Sequence, residues 1–123
     1  MRKAEIKRKT KETSIELNIN LDGTGKSSIS TPFGMLTHMM EQISKHALID
    51  INLKVSGDTE TGSHHVVEDT AIVLGEAFDK ALGDRSGIER MADSTVPLDE
   101  SLSMVAIDLA GRGYHSVEIL PSN

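Results

Sequence analysis

Cysteine and tryptophan are absent from this 123-residue chain, and it has only one Tyr and two Phe. Without cysteine there can be no disulfide and no thiolate-ligated metal, so any metal would rest on histidine and carboxylate donors. With so few aromatics, the core must be filled by Ile, Val, Leu, Met and Ala. No apolar run approaches the roughly 18 residues that a bilayer-crossing helix requires. The N-terminus is charged where a signal peptide would turn apolar. A cytoplasmic protein with no membrane partner is expected. Positive charge is in short supply: 13 Lys and Arg stand against 19 Asp and Glu, a net charge of −6. Nucleic acid is therefore not expected as a partner, because phosphate binding needs a basic face. What remains is a globular composition, 37% hydrophobic and 26% charged, long enough for one core. Five histidines are its distinctive polar resource.

From Glu5 to Asn20 the residues alternate as in a half-buried strand, with Ile15, Leu17, Ile19 and Leu21 at period two. Asp22-Gly23-Thr24-Gly25 reads as a turn, and Lys26 to Ser30 as the return strand of a hairpin. Thr31-Pro32 resembles an N-cap with proline at the first helical turn, which predicts a helix from about Phe33 to Ala47. Its apolar stripe is Leu36, Met39, Met40 and Ile43, with His38 off that stripe. A strand over Ile49–Val55 follows, closed by Ser56-Gly57-Asp58. A second helix is predicted from His64 to Leu82, with Val67, Ala71, Leu74, Phe78 and Ala81 as its apolar stripe and Gly83 as its C-cap.

The chain then begins again. Setting Glu12 against Glu100, 88 residues apart, also aligns Ile19 with Ile107, Leu21 with Leu109, Gly23 with Gly111 and Gly25 with Gly113. The matches fall on one strand-then-turn pattern and include both turn glycines, so a duplication is expected. Residues 1–88 form the first copy and 89–123 the start of a second. Counterparts of His38 and His64 would fall beyond Asn123.

The sharpest local motif is His64-His65-Val66-Val67-Glu68-Asp69. On a helix His64 and Glu68 stand at i and i+4 and can hold one metal ion from one face. His65 and Asp69 form a second such pair. Neighbouring histidines point about 100° apart, so two ions suit them better than one. Asp69 could instead orient His65 from behind. The plain alternative is a solvated first helical turn whose acids favour the helix dipole. The spacing is not that of a His-Glu-x-x-His protease. His46 and His115 carry no signal, Arg90 and Arg112 are not a motif by themselves, and Asp22 to Lys26 lacks the spacing of a phosphate loop.

Taken together, Arg8–Thr13, Leu21–Gly25, Leu36–Met39, Gly57-Asp58, the His64–Asp69 motif, Leu74–Ala77, Ala81–Asp84, Gly87–Arg90, Pro97–Glu100 and Asp108–Arg112 resemble imidazoleglycerol-phosphate dehydratases, in that family's order and over nearly the whole chain. The resemblance implies an α+β fold of tandem half-domains, each a four-stranded sheet packed on two helices (ribosomal S5 domain 2-like), the second half incomplete here. It implies a hydro-lyase acting on imidazoleglycerol phosphate in histidine biosynthesis. It also implies Mn2+ at two sites shared between subunits of a large homo-oligomer built from trimers. His38, His64, His65 and Glu68 match metal ligands, Glu12 an active-site acid–base, and Arg90 and Arg112 residues that bind the substrate phosphate. Leu98, also at the substrate, stands where methionine is usual, a swap that conserves volume. The second-repeat ligands are missing, so this chain alone is expected to be weakly active or inactive. The alternative is a metal-binding or assembly fragment without catalysis.

Overall fold

The computed structural model describes residues 1–120, which form two compact units, Met1–Arg85 and the residues from Ser86 on. In the first unit, β1 (Lys3–Lys9) and β2 (Thr13–Asn20) pair antiparallel. The chain continues through β3 (Ser27–Ser30), α1 (Gly34–Ala47), β4 (Asp50–Gly57) and α2 (His64–Leu82). Sheet order is β1-β2-β4-β3, with β4 antiparallel to β2 and parallel to β3.

The strands depart from the expected pattern in two places. Glu5–Asn20 is not one strand but two, broken at Thr10-Lys11-Glu12. The clue lies in phase: buried positions are even-numbered in β1 (Ala4, with Ile6 half-buried) and odd-numbered in β2 (Ile15, Leu17, Ile19). A switch of phase requires a turn, because side chains alternate with a period of two. Second, Lys26–Ser30 is not the return strand of a hairpin. The edge of β2 is taken by β4 along all eight of its residues, and the returning segment is drawn to the start of β4 instead. Asp50 does this: its Oδ1 accepts the backbone N–H groups of Thr24, Gly25 and Lys26 at 3.0, 3.1 and 2.8 Å. Those donors, Lys26 and Thr24 foremost, hold the Asp50 carboxyl below the usual carboxylate range.

One face of the sheet is apolar. Ile15, Leu17, Ile19, Ile51, Leu53 and Val55 are buried there against Met40 of α1 and Val66, Val73, Ala77 and Ala81 of α2. The opposite face is polar, with Glu16, Asn18, Asn52 and Lys54 directly paired across β2 and β4. Each fully buried Leu, Ile or Val in such a core contributes roughly 1.5–3 kcal/mol.

Both helices fall where the periodicity puts them, but with different faces inward. The buried stripe of α2 is Val66, Thr70, Val73, Ala77 and Ala81 with Leu82, not the stripe that begins at Val67; Val67 is 42% exposed, and Leu74 and Phe78 flank the core. Thr70 hid the true stripe, since a polar residue occupies its second position. On α1 only Met40 and Ser44 are buried, while Met39 and Ile43 are exposed. The N-cap of α1 is Phe33 without a side-chain cap; Thr31 Oγ1 instead accepts the Phe33 N–H at 3.1 Å, ordering the turn before the helix. Gly83 does end α2, at φ 59°.

In the second unit β5 (Met91–Leu98) and β6 (Ser101–Asp108) form an antiparallel hairpin, every residue of it exposed. Met91 pairs with Asp108 as Lys3 pairs with Asn20, and Ala92 with Ile107 as Ala4 with Ile19, each partner displaced by the same 88 positions. The bond from Leu109 N–H to Arg90 carbonyl, 2.9 Å, likewise repeats that from Leu21 to Arg2, 2.9 Å. The second hairpin is thus built in the register of the first.

Candidate metal centre

The residues of interest gather at the N-terminus of α2. Ser63 precedes the helix without a side-chain cap. His64 Nε2 lies 2.9 Å from Glu68 Oε2, with the two side chains 74% and 57% exposed. The helical i, i+4 spacing alone brings them together. With Thr61, Ser63 and Val67 they line a shallow depression. The His64 and His65 rings stand edge-on at 76°, their centroids 5.6 Å apart, so they face in different directions.

His65 turns inward. Its Nδ1 is enclosed, has no hydrogen-bond partner among the described residues and lies 3.7 Å from Asp58 Oδ2, beyond hydrogen-bond reach. Asp69 does not pair with His65, contrary to both roles considered for it. Its Oδ2 accepts the Thr13 hydroxyl at 2.6 Å, and its Oδ1 lies 3.8 Å from the Arg8 guanidinium. The buried stripe explains this: Asp69 adjoins Thr70 and faces the sheet, while Glu68 faces away.

Glu12 is exposed in the β1–β2 turn, which three contacts fix. Thr10 Oγ1 accepts the Glu12 and Thr13 N–H groups at 3.1 and 3.0 Å, and the Asp58 N–H donates to the Glu12 carbonyl at 2.7 Å. Asp58 therefore touches both the Glu12 turn and His65. Spacing gave no sign of this contact: Ser56-Gly57-Asp58 read as the end of a strand, and Gly57-Asp58, Thr10 and Thr13 otherwise entered only as segments of the family resemblance. His38 is exposed on α1. Among the described residues no three His, Cys, Asp or Glu side chains are placed to hold one ion, so His38 is not brought to the His64–Glu68 pair.

Arg90, Leu98 and Arg112 belong to the second unit. Arg90 forms an ion pair with Asp108, its Nε 2.6 Å from Oδ1, and this bond draws the Asp108 carboxyl below its usual range. Leu98 is 74% exposed. Arg112 is also exposed, close enough to Asp108 to add to the same lowering. A groove of the first unit, lined by residues including Asn18, Asn20, Lys26 and Lys80, lies toward the other end of α2. No helix among the described residues is long and apolar enough to cross a membrane.

Fold and motif together define a repeat-built α+β chain with a histidine–carboxylate pair at a helix start. The family model for imidazoleglycerol-phosphate dehydratase matches residues 31–122, and the chain belongs to that family. It is 56% identical over 113 residues to the imidazoleglycerol-phosphate dehydratase of Bifidobacterium animalis subsp. lactis (strain AD011), an alignment covering 92% of this chain and 56% of the relative. It is 55% identical, again over 113 residues, to that of Hydrogenobaculum sp. (strain Y04AAS1), covering 92% of this chain and 59% of the relative. The crystal structure of the dehydratase from Staphylococcus aureus subsp. aureus N315 is similar with a TM-score of 0.84 at 29% identity, over 98% of this chain and 66% of that one. The chain thus spans somewhat more than half the length of the curated relatives it matches.

Proposed function

We propose that this chain carries one share of a manganese-dependent hydro-lyase site, which dehydrates D-erythro-imidazoleglycerol phosphate to imidazoleacetol phosphate in histidine biosynthesis. The observation that carries this reading is the exposed His64–Glu68 pair, its N and O atoms 2.9 Å apart on one face of α2. Imidazole with carboxylate suits manganese, zinc or iron, and the choice of manganese rests on the family. The enclosed Nδ1 of His65, without a hydrogen-bond partner among the described residues, is a second group that could turn to an ion. These residues fit a divalent cation as contributors, not as a complete shell. His64, Glu68, His65 and His38 would be this chain's donors, and self-association as trimers building a larger homo-oligomer would bring others to two shared sites.

Bound manganese would supply Lewis-acid polarisation of the substrate's imidazole, which favours loss of the side-chain hydroxyl. The chain's own residues do the rest. Glu12, exposed on a turn fixed at both ends, can take up and return a proton. Arg90 and Arg112 offer planar donors for the phosphate, and Leu98 an apolar wall. Residues 1–88 and 89–123 then act as two copies of one unit; the shared register of their hairpins supports this.

A second reading, a non-catalytic metal-binding and assembly piece, is favoured by the wholly exposed β5–β6 hairpin, whose Val105 and Ile107 occupy the register of the buried Leu17 and Ile19. A manganese-dependent assay with imidazoleglycerol phosphate, following the ketone product, separates the two. The lyase reading expects turnover once a polypeptide covering the relatives' C-terminal part is added, and its loss in His64→Ala. Manganese binding with no turnover in that mixture would leave the assembly reading.

A further inference from the structure

The hydrogen bonds around Glu12 form a chain with one direction. Asp69 Oδ2 lies 2.6 Å from Thr13 Oγ1. An ionised carboxylate only accepts, so the Thr13 hydroxyl must donate to it. Thr13 Oγ1 also lies 3.2 Å from Thr10 Oγ1. Its proton is already committed, so Thr10 donates to Thr13. The lone pairs left on Thr10 Oγ1 face the N–H groups of Glu12 and Thr13, which donate to it at 3.1 and 3.0 Å. The order is carboxylate, hydroxyl, hydroxyl, then the Glu12 amide, every hydroxyl proton used once. Thr13 is 3% exposed and the Asp69 side chain 14%, so water competes poorly for these bonds.

We propose that Asp69 is a positioning residue for Glu12, acting through the Thr13 and Thr10 hydroxyls. The proposal rests on the reading of Glu12 as the acid–base group and adds how it is aimed. Asp69 sits on the first turns of α2, one residue past Glu68. One helix therefore carries three of the proposed metal donors, His64, His65 and Glu68, and anchors the turn that bears Glu12, so the carboxylate and those donors keep a common frame. Asp58, whose N–H holds the Glu12 carbonyl at 2.7 Å and whose carboxylate faces His65, closes the loop from the other side. A purely structural role for Asp69, as a helix-dipole acid, would need Thr13 for nothing.

The test is nitrogen-15 relaxation of the full chain in Thr13→Val, Thr13→Ser and Asp69→Ala. In Thr13→Val and Asp69→Ala the Glu12 amide order parameter is expected to fall from the rigid range, about 0.85, to below about 0.6, while amides in β4 and the body of α2 hold theirs. Thr13→Ser, which keeps the hydroxyl, is expected to retain the rigid value. Should Asp69→Ala not fold, the Thr13 pair decides alone. An unchanged Glu12 in Thr13→Val overturns the proposal, as does a Thr13→Ser that loosens Glu12 as much as Val does. Manganese broadening of the His64 and Glu68 resonances in the same samples reports the site reading separately. Its absence in the parent chain defeats that reading, whatever Glu12 does.

Discussion

Two glycines should respond to alanine with opposite signs. A Cβ on Gly57 would sit 2.8 Å from the Glu12 carbonyl oxygen, 3.0 Å from Thr13 Cγ2 and 3.2 Å from Thr13 Cα. Two of these neighbours are backbone and cannot swing aside, so Gly57→Ala must push β4 away from the start of β2. Overpacking of this kind costs about 1–3 kcal/mol. A Cβ on Gly75, in the middle of α2, meets nothing within 4 Å. Alanine there relieves the backbone-entropy cost of glycine in a helix and should stabilise by roughly 0.5–1 kcal/mol. Urea unfolding followed by circular dichroism measures both. With a slope of about 2 kcal/mol per M, Gly57→Ala should lower the midpoint by about 0.5–1.5 M and Gly75→Ala raise it by about 0.3–0.5 M. Gly57→Ala at the parent midpoint would refute the close approach of Gly57 to Glu12, and a lowered midpoint in Gly75→Ala would show that its open face is occupied.

Leu17→Ala, at a position fully buried in the centre of β2, should cost about 2–5 kcal/mol by the same unfolding measurement. Glu12→Gln should leave manganese affinity unchanged while removing turnover in the complemented assay, and unchanged turnover would remove Glu12 from the chemistry. Acid should weaken the first unit in a defined window. The bonds from Arg2, side chain then backbone, hold the Asp22 carboxyl at about 2, and backbone N–H donors lower Asp50. Both folded values lie below the unfolded one near 3.9, so the unfolded chain binds more protons. The stabilisation from Asp22 is complete above about pH 4 and is lost as pH falls toward about 2, and that from Asp50 is lost in the same direction as pH falls below its unfolded value. Asp22→Asn should therefore flatten the decline of the urea midpoint over that range.

Much of the fold was legible because it rests on periodicity. α2, its terminal Gly83 and strand β4 were set by residues whose spacing leaves few choices. Misreadings arose where a side chain from afar decided a local matter. Asp50 captured the Thr24–Lys26 turn from 24 to 26 positions away, and no local reading of Asp-Gly-Thr-Gly contains that. Thr70 masked the buried stripe of α2 because its hydroxyl looked polar while its body packed inward. The site was legible in part for the same reason. His64 and Glu68 are one helical turn apart, so sequence implies contact, whereas Asp69 reaches Thr13 across 56 positions. The packing of α2 on β2, not spacing, makes that contact.

The most direct test of the His64–Glu68 metal site is a manganese titration of the purified chain, read by electron paramagnetic resonance as loss of the free-ion signal. Saturable binding is predicted, lost in both His64→Ala and Glu68→Gln and kept in His46→Ala, since His46 bonds Gln42 within its own helix. Equal binding by all four proteins would contradict it, because the His64–Glu68 pair would then hold no metal.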